Sequence, residues 1–251
     1  MKSVVWPEGY GRRVLPEVDS TMAEAARLTP GLAAPTWVLG LRQTAGRGRR
    51  GRAWSDPEGN FAATLVLFPE GPPEQAALRS FVTSLALLDA CVAATGRPEA
   101  FALKWPNDVL LNGGKLAGIL LERSGVPGAR VPLLIGIGVN LVAAPGAEAV
   151  EPGAFRPVSL MSETGAAVGA EAFLDLLAPA YARREAQFAG EGFEPIRRDW
   201  LDHAARLGEE ITARTGKVEI TGRFETVDAA GNLVLLTPDA RQAIPAAEVF
   251  F

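Results

Sequence analysis

Two apolar runs, TWVLGLRQ (36–43) and NFAATLVLF (60–68), have the length and composition of strands and bracket a polar segment between them. Upstream, DSTMAEAARL (19–28) begins a helix, with Thr21 and Glu24 at capping-box spacing and Gly31 just past its end. EQAALRSFVTSLALLDACVAAT (74–95) is long and largely apolar, which predicts a helix packed on a sheet and ended by Gly96. FALKWPNDVLLNGGKLAGILLER (101–123) reads as a strand, a Pro-Asn-Asp turn and a hairpin around Asn112-Gly113-Gly114. RVPLLIGIGVNLV (130–142) adds a buried strand carrying two glycines, and helices over about 171–189 and 193–206 follow. From Leu207 the texture changes to short alternating runs broken by Thr-Gly, Ala-Gly-Asn and Pro-Asp, the pattern of a small antiparallel barrel. The expected organisation is therefore two domains, 1–206 and 207–251, with the boundary near Arg206.

Composition narrows the class. With 25 Lys+Arg against 29 Asp+Glu, the net charge of -4 argues against a protein that coats nucleic acid with its whole surface. The single cysteine, Cys91, excludes an internal disulfide, and together with the single histidine, His203, it excludes zinc clusters of the usual spacing. Cys91 lies in an apolar run and is expected to be a buried small hydrophobe. The start, MKSVVWPEGY, is interrupted by Pro7 and Glu8 and does not read as a signal peptide. No apolar run is expected to reach the roughly 20 residues of a membrane helix, so the expected location is the cytoplasm.

Positive charge is instead concentrated in one place. QTAGRGRRGRAW (43–54) holds Arg47, Arg49, Arg50 and Arg52, with Arg42 just before it and no acid between. Gly46 to Gly51 formally satisfies GxGxxG after a strand, but AWSDPEGN is turn chemistry and not the helix that such a fingerprint must open. A Walker A loop would need Ser or Thr after Gly-Lys, and both Gly114-Lys115-Leu116 and Gly216-Lys217-Val218 fail. Disordered arginine-glycine segments that bind RNA usually lie in low-complexity tails and not between strands. A solvated surface loop is the plain alternative, yet five like charges within eleven residues repel one another unless an anion offsets them. Arginine forks on a glycine backbone suit phosphate, and a phosphate-wrapping loop is the preferred reading.

A second polar group surrounds the predicted hairpin. Strict alternation puts Lys115 on the same strand face as Ala117, Ile119 and Leu121, an odd place for an ammonium unless it snorkels to water from the strand end. Lys104, Asn107 and Asp108 join it in a cluster of two lysines, an amide and a carboxylate.

GRGRRGRAW followed some fifty residues later by KWPNDVLLNGGKLAGIL resembles the catalytic domain of biotin–protein ligases, and the order of Asp19-Ser20-Thr21 upstream and GIGVN at 136–140 downstream fits as well. The resemblance covers roughly residues 15–250. It implies an α+β fold in which a mixed β-sheet flanked by helices, like that of class II aminoacyl-tRNA synthetases, is followed by a small SH3-like β-barrel. It implies a two-step reaction. Biotin and ATP give biotinyl-5'-AMP and pyrophosphate, and the adenylate then acylates one lysine of a biotin carboxyl carrier protein of acetyl-CoA carboxylase or a related carboxylase. By the same resemblance, Arg47 and Arg49 with Arg50 and Arg52 screen the phosphates, and Lys115 sits between the biotin carboxylate and the α-phosphate. Ser20, Thr21 and Gln43 hydrogen-bond the ureido ring, Gly118 and the neighbouring Ile119 let it approach the strand, and Gly46 and Gly48 shape the loop. Trp54 and Asn140 are expected near the adenosine, Lys104 and Asn107 near the site without an assigned role, and Asp108 as a ligand or water-mediated contact of the Mg²⁺ that ATP brings. Lys115 is expected to serve the reaction and not the fold.

Two departures matter. Met22 stands where some members have Asn, and only about eighteen residues precede Asp19, too few for the helix-turn-helix of relatives that repress transcription. The expected type is therefore monofunctional, with no specific DNA and no membrane as partner; the resemblance also suggests a homodimer. The runner-up is a lipoate–protein ligase of the same superfamily, and an RNA-binding protein using the arginine loop is the reading from a different class.

Overall fold

The computed structural model describes residues 5–123, 131–146, 155–216, 218–245 and 247–250, with only the backbone of Arg50. A seven-stranded sheet is built from β1 (Gly11–Leu15), β2 (Thr36–Gly40), β3 (Phe61–Leu67), β4 (Phe101–Lys104), β5 (Asp108–Leu111), β6 (Gly114–Arg123) and β7 (Leu133–Val139). Its order is β1-β2-β3-β7-β6-β5-β4. Only β1 and β2 run parallel, and the other neighbours are antiparallel, so the sheet is mixed as expected.

Alternation along the central strands separates the two faces. In β3, Phe61, Ala63, Leu65 and Leu67 point into the large core, while Thr64 and Val66 point the other way. In β7, Leu133, Ile135, Ile137 and Val139 do the same, which leaves Gly136 and Gly138 on the opposite face. The core face is covered by α3 (Arg79–Thr95), α5 (Ala170–Glu191) and α6 (Phe193–Asp202). Phe61 meets Phe173 edge-on at 5.1 Å and Trp37 meets Tyr181 at 5.9 Å, each fully buried ring contributing about 1.5–3 kcal/mol by leaving water. Between α3 and α5, Arg79 pairs with Glu185 at 2.6 Å and the Tyr181 hydroxyl donates to the same carboxylate. Burial, with Glu185 nearby, pushes the phenol of Tyr10 up to about 12.

On the other face, α1 (Thr21–Leu28) packs Met22 and Ala25 against Val38, Val66 and Leu134 and leaves room beside itself. That room becomes the cavity.

Several expectations are corrected by packing. The capping box at Thr21 is absent: Ser20 is the N-cap, without a capping bond, and the Thr21 hydroxyl is used elsewhere. The predicted 74–95 helix is two helices, α2 (Pro73–Ala77) and α3, broken at Leu78. Together Pro73–Thr95, 23 residues, is long and apolar enough to cross a membrane, contrary to the expectation from the sequence; most of it is buried inside the molecule, where apolarity has its ordinary use. Gly96 does end it, in the left-handed conformation. Strand β1 and the short α4 (Leu160–Thr164) were not foreseen. Cys91 is fully buried, and burial raises its thiol to about 12.

The C-terminal segment folds as a five-stranded antiparallel sheet of β8 (Glu210–Arg214), β9 (Glu219–Val227), β10 (Leu233–Leu236), β11 (Arg241–Ile244) and β12 (Glu248–Phe250), in the order β11-β10-β9-β8-β12. It is fastened to the first sheet's layer by side chains: Trp105 Nε1 donates to the carbonyl of Gly231 at 3.0 Å, and Arg197 to that of Val227 at 2.9 Å.

Candidate active site

The free face of the sheet, the start of α1, the arginine segment and the last barrel strand enclose a cavity of about 510 Å³. Its floor follows from alternation. Gly118 of β6 is the register partner of Gly138 of β7, and Gly136 lies two residues further along, so backbone and not side chains faces the cavity there. The Trp54 ring lies against this floor: a Cβ on Gly138 would come within 2.4 Å of it.

A β-bulge decides where Lys115 goes. Val109 is opposite Ala117 but Leu110 is opposite Lys115, which makes Leu116 an extra residue and reverses the alternation. Ala117 and Ile119 remain in the core, while Lys115 joins Gly118 on the cavity face, its Nζ within 3.6 Å of where a Gly118 Cβ would stand. The expectation that Lys115 shares a face with Ala117, Ile119 and Leu121 is therefore wrong, and the puzzle it raised disappears. Ile119, likewise named as a site residue, contributes its backbone: its carbonyl accepts from Asn107 Nδ2 at 2.6 Å.

Lys115 Nζ is 2.7 Å from Asp108 Oδ1, and Lys104 Nζ is 3.6 Å from Asp108 Oδ2 and 4.9 Å from the centre of the Phe155 ring. Asp108 and Lys104 are buried. Burial pushes the Asp108 carboxyl up, but Lys115 and Lys104 outweigh it and hold the group below its usual range. Burial also lowers the Lys104 ammonium, with Asp108 opposing. Next to them, Arg49 Nη1 donates to Asn107 Oδ1 at 3.1 Å, so the arginine loop is moored to the turn between β4 and β5. Asn107 thereby gains the part the sequence left open: it links Arg49 to β6.

The loop is also closed on itself. Trp54 N donates to Gly46 O, Gly48 N to Arg52 O, and Gln43 N to Asp56 Oδ2, a ladder that narrows toward the tip. Arg52 reaches Glu248 of β12 at 2.8 Å.

At the opposite end of the cavity, Gln43 Oε1 accepts from Thr21 N at 2.9 Å and Thr21 Oγ1 at 3.2 Å, while Thr21 Oγ1 accepts from Thr64 Oγ1. Ser20 and Met22 complete that wall, and the Met22 sulfur lies over Gly136.

Of the residues named from the sequence, Ser20, Thr21, Gln43, Arg47, Gly48, Arg49 and Trp54 line the cavity, as do Lys104, Asn107, Asp108, Lys115, Gly118, Ile119 and Asn140. Gly46 lies just behind, where a Cβ would strike the Gln43 amide at 2.9 Å. Asn140 is tied by its side chain to the Val158 carbonyl. The Arg50 side chain is outside the described residues. Sequence reasoning missed Phe155, Pro157 and the barrel residues Arg214, Glu248 and Phe250, all of which line the same cavity. Nothing local marks those barrel positions; only the folded contact between the two modules brings them here.

The cavity thus has a hydrogen-bonding end without charge, a glycine floor, and a basic lining of Arg47, Arg49, Arg52, Lys104, Lys115 and Arg214. Comparison with known proteins points the same way. Residues 13–140 match the biotin/lipoate A/B protein ligase family, and 207–251 match the biotin protein ligase C terminal domain. The chain is 60% identical to the biotin–[acetyl-CoA-carboxylase] ligase of Paracoccus denitrificans over 95% of its own length and 99% of that protein. It is 28% identical to the bifunctional ligase/repressor BirA of Escherichia coli, over 91% of this chain and 70% of BirA. The biotin protein ligase of Aquifex aeolicus, solved in complex with biotin and ATP, superposes with a TM-score of 0.81 at 27% identity, covering 95% of this chain and 98% of the other. Sequence, topology and the order of the motifs around the cavity agree, and the chain belongs to the biotin/lipoate A/B protein ligase family.

Proposed function

We propose that this chain is a biotin–protein ligase: it joins biotin to ATP as biotinyl-5'-AMP, releases pyrophosphate, and passes the biotinyl group to a lysine of the biotin carrier of acetyl-CoA carboxylase. The observation that carries the reading is the polarity of the cavity. A neutral ring with donors and acceptors suits the Thr21–Gln43 end, an apolar body suits the glycine floor, and a carboxylate beside a polyphosphate suits the basic lining. The relatives named above support biotin over lipoate.

Attack of a carboxylate on the α-phosphate brings two anions together, so the barrier falls where fixed cations neutralise both. In this reading Lys115, on the cavity face with Gly118, neutralises the carboxylate and the phosphate it attacks, and Arg47 and Arg49 screen the phosphate oxygens. Asp108 pairs with both lysines and so aims them. The bond formed is carboxyl oxygen to α-phosphorus, and the bond broken releases pyrophosphate. In the second step the carrier's amine attacks the acyl carbon and AMP leaves.

Mg²⁺ enters with the nucleotide. Asp108 has its two oxygens turned to lysines, and among the described residues no group of three or more His, Cys, Asp or Glu side chains gathers around a point. These residues do not form a protein-held cation site. The division of labour we propose assigns substrate activation to 1–206 and closure of the rim to 207–251, with the reaction in the cytoplasm.

The test is pyrophosphate exchange. The purified chain with ATP and Mg²⁺ should exchange labelled pyrophosphate into ATP only when biotin is added; equal or faster exchange with lipoate would transfer the chain to the other branch of its family.

A further inference from the structure

Behind the uncharged end of the cavity stands an acid that does not line it. Asp56 follows the arginine loop, and its Oδ2 accepts from the backbone N of Gln43 at 3.1 Å and lies 3.5 Å from Gln43 Nε2. Its other oxygen, Oδ1, is buried and has no hydrogen-bond partner among the described residues. Burial accordingly pushes the Asp56 carboxyl above its ordinary range, with the bonds from Gln43 opposing. An acid held at such a cost by one neighbour invites the question of what that neighbour gains.

The Gln43 amide could in principle point either way. Thr21 N can only donate, so the side facing it must be Oε1; the Asp56 carboxylate can only accept, so the side facing it must be Nε2. The two contacts select the same orientation. With both lone-pair directions of Oε1 taken by Thr21 N and Oγ1, Gln43 has one N–H left to offer the cavity. It is a donor to a ligand and not an acceptor. Gly46, on which a Cβ would come within 2.9 Å of Nε2, leaves the amide room to lie there.

We propose that Asp56 is a positioning residue for the ring-binding end of the cavity, acting through Gln43: it closes the base of the arginine loop and fixes the Gln43 amide as a donor to a carbonyl acceptor such as that of a urea. The inference rests on the reading of the cavity as a biotin site. It separates two jobs within one loop, because Asp56 lies at the base, beside the uncharged end, while the arginines that face the phosphates lie toward the tip.

Titration calorimetry on the full chain, with biotin and with ATP separately, tests this. Asp56→Ala should weaken biotin by about 10- to 100-fold, the scale of losing a hydrogen bond to a charged group, and change ATP affinity by less than about threefold. Asp56→Asn keeps the shape and one acceptor oxygen but not the charge; it should retain the wild-type thermal midpoint and lose roughly 3- to 10-fold in biotin affinity, since charge-assisted bonds are about twice as strong as neutral ones. Asp56→Asn binding biotin as tightly as wild type, or Asp56→Ala losing biotin and ATP in parallel, would overturn the proposal. Failure of the unaltered chain to bind biotin would overturn the reading of the cavity, and the proposal with it, without any variant being made.

Discussion

Asp108 sits between two lysines in a buried place, and this changes what removing either lysine should do. The sequence alone suggests that Lys115 serves the reaction and not the fold. Its contact with Asp108 at 2.7 Å gives it both duties. Taking away one partner of a buried pair is costly because the other charge stays behind, but Lys104 remains and the Lys115 side chain is 34% exposed, so the loss should be on the order of 1–2 kcal/mol. Lys115→Ala should therefore slow adenylate formation by about 10²-fold, the effect of losing one donor to developing charge, and also lower the melting midpoint by a few degrees. Adding Asp108→Asn should lower the midpoint further and not restore the rate, because it leaves Lys104 buried without its carboxylate. A single variant that melts like wild type would mean the pair contributes nothing to stability; a single variant of ordinary activity would remove Lys115 from the reaction. That Lys115 matters could be read from its motif. The face it occupies could not, because a period of two carries no sign of the bulge at Leu116.

At the scale of elements, the arginine segment is more constrained than five like charges on a glycine-rich stretch suggest. Its ladder runs from Gln43–Asp56 through Gly46–Trp54 to Gly48–Arg52, and Arg49 and Arg52 are held by groups outside the loop. These ties lie near solvent, so local opening should precede global unfolding. Limited trypsin digestion should cut first after Arg47, Arg49, Arg50 or Arg52, and biotin with ATP should suppress those cuts while leaving Arg241, on an exposed barrel strand, as susceptible as before. Fragments identified by mass spectrometry decide it; a loop cut equally in both states is not a ligand-ordered lid. The strands around this loop were legible because buried runs such as NFAATLVLF admit little else. The break at Leu78 was not, since apolar spacing continues through it and the interruption is made by packing. The glycine floor was half legible: LLIGIGV shows two glycines in alternation, but only pairing with β6 sets Gly138 beside Gly118.

Across the whole molecule, the change of texture near Arg206 pointed to a second module, and a five-stranded antiparallel sheet begins at Glu210. What no stretch of sequence announced is that this module closes the cavity: Glu248 is far along the chain from Arg52, with which it pairs, and contacts of that separation are made only by docking. The docking also leaves the five tryptophans in unlike surroundings. Trp37, Trp105 and Trp200 are buried in cores or at the seam between modules, and Trp6 is occupied with Tyr10 and Arg12. Trp54 alone of the five lines the cavity. A bicyclic ligand that settles on bare backbone at Gly118 and Gly138 must share that surface with the indole or move it. The protein consequently carries its own optical gauge: biotin should shift or quench the emission of one tryptophan against a constant background of four, Trp54→Phe should abolish the change, and the dead time of a stopped-flow mixer becomes enough to watch the cavity fill.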